Sequence, residues 1–173
     1  MNRLVTALAI TLALAGCATH PLLPAAAEHN TQPAASALSR GATVAAVAES
    51  QIGAPYRFGG ASPSGFDCSG LVFFAHAHIN IFVPRTVAGL RRAARPVARR
   101  ALAPGDLLFF GAVDGEPGHV GIYAGGDRFV HAPRSGQVVS YGYLSDPYYA
   151  RRFLSAGTLL ALNPTGHASN TAP

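Results

Sequence analysis

The sequence predicts an α+β domain, with helices first and an antiparallel sheet after them. Three observations carry this. A loop rich in Gly, Ser and Pro runs into Cys68 and then into the helix-compatible apolar run Val72 to Ala75. Gly118 to Ala124 and Arg128 to Ala132 read as two strands joined by the tight turn Gly125-Gly126-Asp127. Strands and helices do not alternate along the chain in the way a parallel sheet requires. A chain of 173 residues accommodates one domain with tails and a substantial core.

In chain order, Met1-Asn2-Arg3 and the small or apolar residues Leu4 to Ala15 have the charged and hydrophobic regions of a secretory signal, too short for a membrane-spanning helix. Leu14-Ala15-Gly16-Cys17 resembles the lipobox of bacterial lipoproteins, which makes residues 1–16 the signal and Cys17 the lipidated anchor. Ala18 stands where an aspartate would, in that pattern, retain the protein at the inner membrane. The expected location is therefore the cell envelope, at the outer membrane facing the periplasm. Residues 17–42, dominated by Ala, Pro, Thr, Ser and Asn, read as a flexible tether, and residues 164–173 as a disordered tail.

The domain is expected over residues 43–163. Thr43 as N-cap, Val44, Val47, Ala48 and Ile52 at helical spacing, and Gly53 as the stop predict the first helix. Pro55 to Gly60 form the loop entering the cysteine segment, and the residues from Ser69 to Ile79 form the second helix, with Cys68 in its first turn. Pro84-Arg85-Thr86 leads to a short basic helix, Val87 to Ala94. Ala103 to Asp106 turn into a strand at Leu107 to Phe110, the hairpin follows, and Gln137 to Tyr141 and Thr158 to Leu162 read as the last two strands.

All thirteen basic residues are arginine and the net charge is +5, with the densest cluster at Arg91, Arg92, Arg95, Arg99 and Arg100. On an exported protein this excludes nucleic acid as the expected partner and favours a solvated face, or attraction to wall polymer or membrane. Two cysteines, one assigned to lipid, leave Cys68 without a disulfide partner, and an unpaired exported thiol points to chemistry.

A cysteine at a helix start faces unsatisfied N–H groups, which should lower its pKa and favour the nucleophilic thiolate. Period-2 alternation puts His119, Gly121 and Tyr123 on one face of their strand and Phe129 and His131 on one face of the next. His119 can serve as base, with His131 holding its tautomer. The same residue types could instead ligate zinc, but neither Cys-x-x-Cys nor His-x-x-x-His occurs, and His76 and His78 point to different sides of a helix. No metal or cofactor is expected.

Pro55, Tyr56, Phe58, Gly59 and Gly60; Phe66 to Leu71; Pro84 to Thr86; Pro104 to Leu107; His119 to Tyr123; and His131 to Pro133 together resemble the NlpC-type peptidoglycan cysteine endopeptidases over about Val44 to Leu162. The resemblance implies a papain-like fold, with N-terminal helices packed on a central antiparallel sheet. It also implies an exported hydrolase cutting peptidoglycan stem peptides between D-glutamate and diaminopimelate through an acyl-enzyme. By the same resemblance Cys68 matches the nucleophile, His119 the base and His131 the orienting residue. Tyr56 matches a residue lining the site and assisting the oxyanion hole, and Asp67 and Ser69 match positions near substrate. Phe58 stands where tryptophan is common and Gly118 where a small hydroxyl residue is common, which leaves bond preference open. Arg134, after His131-Ala132-Pro133, is either solvated or attracts a substrate carboxylate. The alternatives are a cell-wall amidase and a non-catalytic lipoprotein that binds wall or a partner through the same cleft.

Overall fold

The computed structural model describes residues 32–111 and 117–160; Cys17, the expected signal and the tail from Pro164 lie outside them. Helix α1 (Gln32–Glu49) begins at Gln32 rather than at Thr43, inside the stretch read as tether. That stretch looks unstructured because it lacks large apolar residues, yet alanine is the best helix former, and long-range contacts hold the helix further on. The Arg40 guanidinium donates to the Leu160 carbonyl at 3.2 Å. Gly41 lies so close to the Pro104 turn that a Cβ would sit 2.2 Å from its carbonyl oxygen. Val44 and Ala48 are fully buried, as their spacing predicts. Ile52, expected on the same face, is exposed, because the helix ends at Glu49 and the chain turns away through Gly53 at φ +94°.

Strands β1 (Ala61–Ser62) and β2 (Gly65–Phe66) form a small hairpin that delivers the chain to α2 (Cys68–Ala77). Helix α3 (Val87–Ala93) is capped by Thr86, whose hydroxyl accepts from Gly89 N–H at 3.1 Å. Six strands form one sheet: β3 (Arg95–Val97), β4 (Leu107–Gly111), β5 (Pro117–Gly125), β6 (Arg128–His131), β7 (Ser140–Tyr143) and β8 (Phe153–Thr158), in the spatial order β3-β8-β4-β5-β6-β7. All its pairings are antiparallel.

One face of the sheet, through Phe109, Val120, Ile122 and Val130, packs with Val44, Leu71, Val72 and Leu90 of the helices. The other face carries a smaller apolar cluster of Leu108, Phe110, Tyr123, Phe129 and Leu144, against which Tyr149 of α4 (Pro147–Arg152) rests. Gly121 of β5 and Gly142 of β7 flank this second core. A Cβ on either would lie within 2.5 Å of the Phe129 ring, so the two glycines make the space that ring occupies.

Two strand expectations shift. The strand expected at Gln137 to Tyr141 is observed at Ser140–Tyr143, because residues 137–139 are spent on the Pro55 loop: Gln137 O accepts from Tyr56 N–H and Val139 N–H donates to Ala54 O. The strand expected at Thr158 to Leu162 is observed at Phe153–Thr158, where small residues fit between β3 and β4; a Cβ on Gly157 would meet the Ala94 Cβ at 2.8 Å. Helix α4 and strand β3 were not expected, although Asp146 followed by Pro147 is a helix-start signature, N-cap then proline at the first helical position.

His76, on α2, is fully buried. Its Nδ1 donates to the Val72 carbonyl at 2.9 Å, and its Nε2 has no partner among the described residues. Charging the ring would bury an unpaired Nε2–H, so burial, aided by the Arg40 charge and opposed by the Val72 bond, pushes the pKa down to about 4. The folded state therefore favours the neutral ring. Stability from this residue is full above the unfolded value of 6.5 and is lost as pH falls from there toward 4. The expected loss is on the order of 3 kcal/mol by pH 4. Denaturant midpoints measured between pH 7 and 4 should fall for the native chain, and His76→Phe should remove about one proton from that slope.

Candidate active site

Cys68 opens α2 because Asp67 caps it: extended backbone at Asp67 (φ −92°, ψ 175°) aims its carboxylate at the Gly70 N–H, 2.7 Å away. The two Asp67 oxygens also accept from the Gly59 N–H at 2.8 Å, the Ser69 hydroxyl at 3.2 Å, and Arg85 Nη1 and Nη2 at 2.7 and 3.0 Å. Arg85 donates further to the Gly60 carbonyl and to the Ser69 hydroxyl, both at 2.8 Å. One bidentate ion pair thus ties the glycine loop to the start of the cysteine helix. Burial alone would raise the Asp67 pKa, but the guanidinium and the Gly70 and Gly59 donors outweigh it and hold the carboxyl below its usual range. Gly70 is required by this closeness, since a Cβ there would lie 1.9 Å from the Gly60 carbonyl oxygen.

The thiol is half-buried. Burial pushes the Cys68 pKa up, and the Asp67 charge adds to this, while the backbone N–H groups of Val120, Ser69 and Cys68 itself pull it down. The net shift is upward, so the acidic thiol expected from the helix start is corrected: desolvation outweighs the terminal N–H groups. The Val120 contact sets the sulfur against β5, at the residue next to His119.

His119 and His131 meet as the alternation predicts, His119 Nε2 lying 2.9 Å from His131 Nδ1. In the β5–β6 register Ile122 pairs with Val130, so His131 follows directly after the last residue of β6 paired with β5, and its side chain reaches His119 on the neighbouring strand. Burial holds His119 down to about 4, and burial together with the His119 charge holds His131 down to about 3. Both rings are therefore neutral near pH 7. With Nε2 engaged, Nδ1 is the ring nitrogen of His119 not used in that pair. For Nδ1 to accept a proton, Nε2–H must donate to His131 Nδ1, which leaves the His131 proton on Nε2, facing the Tyr149 hydroxyl at 3.4 Å. Direct hydrogen bonding fills the space between the two rings, and among the described residues no group of three His, Cys, Asp or Glu is arranged to hold a metal ion.

Tyr56 stands close enough to Cys68 and Asp67 for their charges, added to burial, to raise its pKa. Its backbone N–H is bonded to Gln137 O, and Arg57 N–H to Phe66 O, so the loop bridges the cysteine lead-in and the segment after His131. Asp67 and Ser69 are buried and bonded internally. Phe58 is 88% exposed. Two residues escaped the sequence reading. Arg85 has no site role in the sequence reading, although an Asp adjoining the cysteine and an arginine after the next loop are both visible there; Tyr149 sits on α4, a helix the sequence reading does not place.

Residues 53–158 match the family described as NlpC/P60. The murein DD-endopeptidase MepH of Escherichia coli (strain K12) is 44% identical over 111 residues, which cover 61% of this chain and 41% of MepH. The crystal structure of the NlpC/p60 domain of peptidoglycan hydrolase SagA has a TM-score of 0.61 at 32% identity, over 69% of this chain and 98% of that domain. An NlpC/P60 family protein from Bacillus cereus ATCC 10987 has a TM-score of 0.66 at 30% identity, over 69% of this chain and 40% of its own. The chain spans less than half the length of MepH and of the probable endopeptidase YafL from the same organism, 41% and 47%. A family match across most of the folded residues, on a helix-capped cysteine and a bonded histidine pair, establishes that this chain belongs to the NlpC/P60 family.

Proposed function

We propose that the protein is a cysteine endopeptidase of peptidoglycan stem peptides, acting through Cys68, His119 and His131. The single observation that carries the reading is the 2.9 Å His119–His131 pair, with His119 on the strand whose Val120 N–H faces the sulfur. His119 Nδ1 takes the thiol proton as Sγ attacks the scissile carbonyl carbon. The same nitrogen returns the proton to the leaving amine as the C–N bond breaks, and water hydrolyses the thioester with His119 again as base. Burial disfavours both the thiolate and the imidazolium, so the proton moves with the attack rather than before it. Tyr56 lines the acyl side, Asp67 and Ser69 hold the helix start beneath the thiol, and Tyr149 accepts from His131 Nε2–H.

The bond proposed is γ-D-glutamyl to diaminopimelate; a relative from Bacillus subtilis (strain 168) named gamma-DL-glutamyl hydrolase, 42% identical over 105 residues, favours it. The second reading, a D,D cross-link, is favoured by the name of MepH. Purified protein incubated with defined muropeptides and read by mass spectrometry decides between them. A mass gain of one water at the glutamyl bond supports the first and scission of cross-linked dimers the second, whereas intact muropeptides across pH 5–9 would leave a binding module in its place.

The envelope address is proposed from Leu14-Ala15-Gly16-Cys17, with cleavage before Cys17 and lipid on its sulfur and amine. Among the described residues no helix is long and apolar enough to cross a membrane. Cys17→Ala is expected to move the protein from the membrane to the soluble fraction and to remove the lipid mass; retention in membranes with unchanged mass would refute the anchor.

A further inference from the structure

Beside the histidine pair lies a cleft of about 550 Å³, lined by Gly118 and His119, by Tyr148, Tyr149 and Arg152 of α4, and by Arg134. Cys68 is not in its wall. The proton donated to the leaving amine comes from His119, so the fragment that departs as an amine occupies space bordered by His119. The acyl fragment, covalently held, stays with Cys68.

Two cations reach this space, and no carboxylate lines it among the described residues. Arg152 is set in place: its guanidinium carbon lies 3.9 Å from the centre of the Tyr148 ring, and Nη1 donates to the Tyr148 carbonyl at 3.3 Å. Arg134 is exposed, and its guanidinium has no hydrogen bond or ion pair among the described residues. Its charge nonetheless reaches Tyr149, where it opposes the upward pull of burial and of Tyr148 and Asp146 on that hydroxyl. Asp146, the N-cap of α4, is committed to that cap through the Tyr148 N–H at 2.7 Å. One guanidinium held by an aromatic ring and a second left unpaired, beside two tyrosines, suit a carboxylate.

We propose that Arg134 and Arg152 form the subsite for the amine-side product, reading a free carboxylate on the residue that follows the scissile bond. This rests on the reaction proposed above and assigns its leaving-group specificity. A diamino dicarboxylic acid keeps a free carboxylate whichever of its two amines is acylated. Amidating that carboxylate removes the charge while keeping the size.

The test pairs two synthetic stem tetrapeptides, and their cross-linked dimers, that differ only in whether the side-chain carboxylate of diaminopimelate is free or amidated. Binding is measured by calorimetry on the full chain carrying Cys68→Ala, and turnover on the chain with Cys68 intact. The acid form is expected to bind about tenfold tighter and to show a KM lower by a similar factor. Arg134→Gln with Arg152→Gln should erase that difference, while Arg91→Gln, remote on α3, should keep it. Equal handling of acid and amide by the native chain overturns the subsite, as does an equal loss on both substrates in the double variant. Cleavage without discrimination leaves the reaction standing and removes the subsite. Discrimination in binding without cleavage keeps the subsite and removes the reaction.

Discussion

Cys68→Ala is expected to abolish turnover, and His119→Ala to come close to it, each by about 10⁴-fold or more in kcat. On the proposed mechanism the first removes the atom that would form the thioester and the second the imidazole whose Nδ1 is not used in the histidine pair. His131→Ala should cost about 10²-fold, since the base survives but loses the partner that sets its tautomer. Tyr149→Phe, which removes only the oxygen 3.4 Å from His131 Nε2, should cost a few-fold at most. The acid limb of kcat/KM should lie well below the ordinary imidazole value, because burial holds His119 at about 4. His131→Ala admits water beside His119 and should move that limb upward. In the resting protein, alkylation of Cys68 by iodoacetamide should be slow at pH 6–7 and rise only above the usual thiol range, the burial-raised pKa predicting little thiolate below it. Fast alkylation at mildly acid pH that disappears in His119→Ala would show a preformed thiolate–imidazolium pair and contradict the neutral resting state.

Asp67→Ala should produce the largest loss of stability of any single change at the site. It deletes the cap of α2 and strands Arg85, whose side chain is 34% exposed against 12% for Asp67. A buried pair broken on one side costs about 3–5 kcal/mol, but water at the exposed guanidinium screens part of this, so about 3 kcal/mol including the cap is expected. That corresponds to a fall in Tm of about 10 °C for a domain of this size. The pH dependence has a definite sign. The Asp67 pKa is held below its unfolded value, so the contribution is complete above the ordinary carboxylate range and is lost as pH falls through the lower folded value. With Asp67 intact, Arg85→Lys should cost less than Arg85→Gln, since one ammonium replaces the bidentate fork but keeps the charge. A thermal midpoint for Asp67→Ala within a degree of the native chain would mean that the pair holds nothing in place, and Arg85→Gln should then be equally silent.

Much of the site was legible because its chemistry is local. Asp67-Cys68-Ser69-Gly70 reads as a capped helix start from turn residues before it and apolar residues after it, and α2 begins at Cys68 as expected. The histidine pair followed from period-2 alternation on two strands joined by Gly125-Gly126, whose φ angles of +99° and +64° are those a tight turn asks of glycine. The ends of the chain were less legible. Gln32 to Gly41 has no apolar stripe of its own, and its helix is held at Arg40 and Gly41 by Leu160 and Pro104, contacts at a sequence distance no window can see.

By itself the sequence determined the α+β order, the cysteine at a helix start and the two histidines that meet across β5 and β6, because caps, turns and alternation act within a few residues. Only the tertiary structure decided where the edge strands lie. A short strand is selected by the partner it pairs with, and Phe153–Thr158 wins over the more apolar run after it because its small residues fit between β3 and β4. The same holds for the acidity of the site. The helix start is local and favours thiolate, but the burial of Cys68 and His119 is a property of the packed sheet and helices, and it pushes the thiol pKa up and the imidazole pKa down. Arg134 and Arg152 stand far apart in the chain for a similar reason, brought to one cleft by a helix whose docking depends on Phe110 and Phe129 from other strands.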